Sequence, residues 1–142
     1  MEPVDFSANA PGLLIPKLPD YLFEDDGLYT PEVGEWGEKK YALVGRYDRL
    51  FSTGMKVKWD VRVYIDLFSG AGKARIKGTD KIRPASPLLA LSVPDGFNRY
   101  IFCDNDNRCL DALDTRVKKY YPSLDVTFLK ETATSWLTKS QV

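Results

Sequence analysis

The chain has 142 residues, 44% hydrophobic and 28% charged, which fits one globular domain with a real core. Lys+Arg and Asp+Glu are both 20, so no net charge draws the whole chain to nucleic acid or to an anionic membrane. Two cysteines (Cys103 and Cys109) and no histidine exclude a disulfide scaffold, a histidine zinc site and the usual histidine general base.

No apolar run approaches the length of a membrane span. Met1 to Ala10 lacks the basic-then-apolar order of a secretory leader, so a reduced, cytoplasmic protein is expected. Residues 1–34 carry Pro3, Pro11, Pro16, Pro19 and Pro31 around an acidic knot at Glu24, Asp25 and Asp26. Prolines at this density predict an irregular arm, which Leu13, Leu14 and Ile15 could pin to a core. From Glu35 to about Met55, Tyr41, Val44, Tyr47, Leu50 and Phe51 recur at three- and four-residue steps. The spacing predicts an amphipathic helix, residues 35–58 with its exit, packing on a sheet by that aromatic face. Lys39, Lys40, Arg46 and Asp48 fall largely on the other side.

Residues 59–130 then alternate in type. Val61 to Leu67 reads as a strand, and the basic stretch from Phe68 to Ala85 (Lys73, Arg75, Lys77, Lys81, Arg83) as a solvated loop. Ser86 and Pro87 suit the cap and first turn of a helix running to Val93. Arg99 to Asp104 is a second strand, and Asp106 to Tyr121 a helix burying Leu110, Leu113, Val117 and Tyr120. Val126 to Leu129 is a third strand. The order β-α-β-α-β predicts an α/β fold with a parallel sheet.

Two features fall at carboxyl ends of strands, where open α/β sheets place ligands. The first is Asp66-Leu67-Phe68-Ser69-Gly70-Ala71-Gly72, whose glycines let the backbone turn sharply and approach a ligand. The second is Asp104-Asn105-Asp106, where an acid can accept the hydroxyls of a ribose. Taken singly, the glycines also make a plain turn and either acid also caps the next helix. Together they favour a nucleoside. There is no G-x-G-x-x-G and no G-K-[ST], so a pyrophosphate or triphosphate is not cradled. S-adenosylmethionine, a ribose ligand without phosphate, fits that pattern. The basic loop leaves weak nucleic-acid binding open.

Asp66 to Gly72 resembles the first motif of Rossmann-like methyltransferases in its D-L-F-x-G-x-G form. The resemblance sharpens when other segments are added. These are Pro31-Glu32-Val33-Gly34, Glu38-Lys39-Lys40-Tyr41, Val63-Tyr64-Ile65-Asp66, Ser86-Pro87-Leu88 and Tyr100-Ile101-Phe102-Cys103-Asp104. With these, residues 27–130 resemble the N-terminal part of the three-Cys-motif partner proteins. The resemblance implies a Rossmann-like, methyltransferase-type domain of which this is the first β-α-β-α-β half. It also implies a companion protein with a three-cysteine motif. Asp66, Gly70 and Gly72 would then line the methionine end of the cofactor, Asp104 would hold the ribose and Asn105 would lie near the adenine, with Phe68 also among the cofactor-binding residues. No catalytic residue carries over.

The departure is at the end. The Gly-Asp expected after the third strand is replaced by Glu131-Thr132-Ala133-Thr134, and residues 131–142 read as an atypical tail. Loss of one guanine from codons for Gly-Asp-Cys-Asn yields Glu-Thr-Ala-Thr, so an out-of-frame tail on a truncated, inactive protein is one expectation. A genuine short product, serving as an interaction module through the arm and the aromatic helix, is the other.

Overall fold

The computed structural model describes residues 18–55 and 58–130, apart from the side chains of Trp36, Glu38, Ala42 and Ser52. The Leu13-Leu14-Ile15 cluster and the tail at 131–142 lie outside the described residues. The elements are β1 (Glu32–Val33), α1 (Glu35–Met55), β2 (Val63–Asp66), β3 (Lys73–Ile76) and β4 (Ile82–Pro84). They continue with α2 (Ser86–Leu91), β5 (Arg99–Cys103), α3 (Asn107–Tyr120) and β6 (Val126–Leu129).

The fold is mixed α/β with two small sheets. One is all-parallel, in the order β2-β5-β6, with Ile65 opposite Ile101 and Phe102 opposite Phe128. Val, Ile, Tyr and Phe fill these strands because branched and aromatic side chains pack well on a pleated surface. Tyr100, Phe102, Tyr64, Val126 and Phe128 turn to one side of this sheet. There they meet Leu88 and Leu91 from α2 and Leu113 and Val117 from α3. Val63 and Ile65, on the alternate positions of β2, stay exposed.

The second sheet was not expected. The stretch read as a basic solvated loop folds into an antiparallel hairpin, β3 with β4, and β1 adds to it in parallel. The hairpin turns at Gly78 and Thr79, with the Ile76 amide bonded to the Lys81 carbonyl at 3.0 Å. Lys73, far from being solvated, is fully buried. Its ammonium donates to the Tyr21 and Glu24 carbonyls, both at 2.7 Å, and lies 3.3 Å from Asp26.

Two further expectations are corrected. The described part of the proline-rich arm, from Leu18, is not simply irregular. It makes a 3-10 turn at Asp20–Phe23 that sinks Leu22 into the core, then forms β1. Helix α1 has its expected bounds but is rotated. Tyr47 is 71% exposed, with Leu50 and Phe51 also outward, whereas Asp48 is 7% exposed. At 3.6 residues per turn the chain offers two apolar stripes, one through Tyr41 and Val44 and one through Leu43, Tyr47 and Leu50. The first faces inward and takes Asp48 with it. The helix rests on α2 and β3. Among the described residues no helix is long and apolar enough to cross a membrane.

Candidate functional site

The loop that leaves β2 bends back over the end of β5. The Ser69 amide donates to the Cys103 carbonyl at 3.0 Å, and the Gly70 amide donates to Asp104 Oδ2 at 3.0 Å. The glycine loop and the second acid, separated by 34 positions, therefore meet at the carboxyl ends of two adjacent parallel strands. The other Asp104 oxygen, Oδ1, accepts from the Asp106 amide at 2.8 Å. Each carboxylate oxygen has two lone pairs, so both retain capacity for a further donor.

The two glycines differ. Gly70 has φ +66° and open space where a Cβ would stand. Gly72 has φ +87°, but a Cβ there would come within 2.9 Å of Leu113 Cδ1 and 3.2 Å of Leu88 Cγ. Gly72 therefore lets α2 and α3 close over the loop, while Gly70 leaves the loop's outer side clear. Phe68, between Asp66 and these glycines, projects into solvent at 79% exposure.

Asp66 ends β2 with both oxygens engaged. Oδ1 accepts from the Phe68 amide at 3.1 Å and Oδ2 from the Ser86 hydroxyl at 2.5 Å. Ser86 thus does not cap α2 with its side chain. The cap position falls to Ala85 without a side-chain hydrogen bond, because a bond to a carboxylate is stronger than one to a neutral amide. Asp106 is the N-cap of α3, accepting from the Arg108 amide at 2.9 Å and pairing with its guanidinium. Those bonds, led by the one from the Arg108 side chain, hold Asp106 below the usual carboxylate range. Asn105 is exposed between the two acids.

Sequence reasoning missed two groups around this loop. The first is Arg116, fully buried on α3, which donates to the Ala71 carbonyl at 2.6 Å and pairs with Asp26. Its signal was a charged residue in the apolar stripe Leu113-Val117-Tyr120. The second is Asp48, whose Oδ2 is buried without a hydrogen-bond partner among the described residues. Burial first, and then the charge of Asp66, push the Asp48 carboxyl up to about 7. Cys109, beside Asp104, is raised to about 11, mainly by burial. That keeps it a thiol and a poor nucleophile at neutral pH. Among the described residues, no group of three or more acids and cysteines is placed to hold a metal ion.

Of the basic residues of the hairpin, Lys77 and Lys81 are exposed, and the other three are engaged. Lys73 is inside, Arg75 pairs with Asp25, and Arg83 lies over the Phe23 ring. No family model, curated protein or solved structure matches this chain. Fold and site define its class: a mixed α/β protein with a loop-and-acid site at the carboxyl ends of adjacent parallel strands.

Proposed function

We propose that this chain binds S-adenosylmethionine in the manner of a Rossmann-like methyltransferase and acts with a three-Cys-motif protein as its partner. The single observation that carries the ligand reading is the 3.0 Å bond from the Gly70 amide to Asp104. It joins a glycine turn after one strand to an acid after the next, which is where a ribose is held in open parallel sheets. Gly70, with nothing near its missing Cβ, leaves room for the ligand, and Asn105 is free to meet its base. The partner rests on the resemblance alone.

Calorimetric titration of the full chain with S-adenosylmethionine tests the ligand. Saturable binding, lost in Asp104→Ala while the melting curve stays cooperative, supports it. A folded chain that takes up no ligand sinks it.

A second reading is favoured by one observation. Leu43, Tyr47 and Leu50 form an exposed apolar stripe on α1, as a protein-interaction module would. Substituting Tyr47→Lys and Leu50→Lys separates the readings, since ligand binding survives those changes only if the site and the stripe are independent.

A further inference from the structure

Arg108 is held more firmly than a surface arginine needs to be. Asp104 Oδ1 accepts from the Asp106 amide at 2.8 Å, and the Asp106 carboxylate in turn grips Arg108. Oδ1 accepts from Arg108 Nε at 3.3 Å and Oδ2 from Nη2 at 3.0 Å, a two-pronged bond that fixes the guanidinium in its plane. A second hold comes from a segment remote in sequence. Arg108 Cζ lies over the Tyr29 ring, 4.7 Å from its centre, where a weakly hydrated planar cation meets the negative face of the ring. With the ring beneath it, the Arg108 side chain is still 70% exposed, so its outer side is open to a ligand.

Tyr29 is itself seated on the glycine loop. One buried nitrogen, Arg116 Nη1, donates to the Tyr29 carbonyl at 2.9 Å and to the Ala71 carbonyl at 2.6 Å. The neighbouring Leu28 packs against Ala71, Cys109 and Ala112. The contacts therefore close a circuit. Gly70 bonds to Asp104, Asp104 to Asp106, Asp106 to Arg108, Arg108 to Tyr29, and Tyr29 through Arg116 back to Ala71. Arg108 sits on the Asp104 side of that circuit, one turn of chain beyond the exposed Asn105.

Resting on the nucleoside reading above, we propose that the Arg108 guanidinium, backed by Tyr29, is the platform on which the ligand's purine base stacks. Bases stack on guanidinium planes as they do on aromatic rings, because every base presents a π-face. A platform already held flat by Asp106 and Tyr29 gives up little freedom when the base arrives, so more of the stacking energy appears as affinity. It recognises a flat heterocycle and does not choose among purines.

The test is an NMR titration of the full chain with two probes. S-adenosylhomocysteine carries the base, and S-ribosylhomocysteine is the same molecule with a hydroxyl in the base's place. On the unaltered chain the Arg108 Nε–H resonance is expected to shift saturably with the first probe and to stay still with the second. Arg108→Lys keeps the charge and loses the plane, so S-adenosylhomocysteine should bind about tenfold more weakly while the response to S-ribosylhomocysteine is unchanged. Tyr29→Leu should lose part of the same affinity, and Tyr29→Phe should keep it. An Arg108 resonance unmoved by bound S-adenosylhomocysteine, unchanged affinity in Arg108→Lys, or an equal loss for both probes overturns the platform and leaves the nucleoside reading standing. Binding of neither probe by a folded chain overturns both.

Discussion

Arg116 and Asp26 meet as a two-pronged pair although 90 positions separate them. Nε donates to Oδ2 and Nη2 to Oδ1, each at 2.8 Å. The guanidinium is completely buried, and its Nη1 also donates to the Tyr29 and Ala71 carbonyls. One cation therefore ties the N-terminal segment, helix α3 and the glycine loop together. Removing one partner of such a pair leaves an uncompensated buried charge, at a cost of about 3–5 kcal/mol. Arg116→Met is expected to lose about that much stability in urea unfolding, and a change below about 1 kcal/mol would contradict the clamp.

The same pair fixes the response to acid. Burial alone raises the Asp26 carboxyl, but Arg116 and then Lys73 outweigh it and hold the group well below the usual range. The unfolded chain takes up this proton near pH 3.9, above the folded value, so the contribution is present at neutral pH and lost on acidification below about 4. Asp26→Asn should be less stable than the parent at pH 7, and the gap should begin to narrow as pH falls below about 4. Parallel pH profiles of the two proteins would count against it.

Gly72 and Gly70 are expected to respond differently to alanine. Gly70→Ala meets only the left-handed backbone, at about 1–2 kcal/mol. Gly72→Ala meets the backbone and also the Leu113 methyl, so overpacking adds about 1–3 kcal/mol. Thermal melts should rank Gly72→Ala clearly below Gly70→Ala, and equal losses would refute the packing role.

Asp48 predicts a slope of the opposite sign to Asp26. Its carboxyl is raised to about 7, so between about pH 4 and 7 the folded chain holds a proton that the unfolded chain has released. Stability from this group falls as pH rises through that window. Asp48→Asn should be the more stable protein at pH 8, on the order of 1–2 kcal/mol after allowing for screening by solvent. Chemical unfolding at pH 5 and pH 8 reads it directly.

Val63 and Ile65 lie open on one face of the parallel sheet, and parallel sheets are ordinarily covered on both. Val63→Thr with Ile65→Thr keeps branched side chains on β2 while making the face polar. Sedimentation should show less self-association, with stability changed by less than about 1 kcal/mol. Unaltered association would place the sticky surface elsewhere.

The parallel strands and α3 were legible because each obeys one period: branched and aromatic runs in β2, β5 and β6, and the Leu110-Leu113-Val117 stripe of α3. The hairpin was not, because its strands are three and four residues long and carry Lys73, Arg75 and Arg83, which read as solvent-facing. What buries Lys73 is Asp26, a contact from far along the chain that no local pattern encodes. The rotation of α1 was hidden for a related reason: it buries Asp48 beside the like charge of Asp66, a cost that no amphipathic pattern along the helix anticipates. At the site itself, the glycine loop and Asp104 were visible as separate motifs. Their hydrogen bond needed the sheet register to bring them together.

The most direct test of the ligand reading is a heteronuclear NMR titration of the folded chain with S-adenosylhomocysteine, following each backbone amide. The account predicts saturable shifts centred on Phe68, Gly70, Asp104 and Asn105, with the exposed amides of the hairpin turn at Gly78 unmoved. A folded spectrum that does not change, or shifts confined to α1, would contradict a nucleoside site at the ends of β2 and β5.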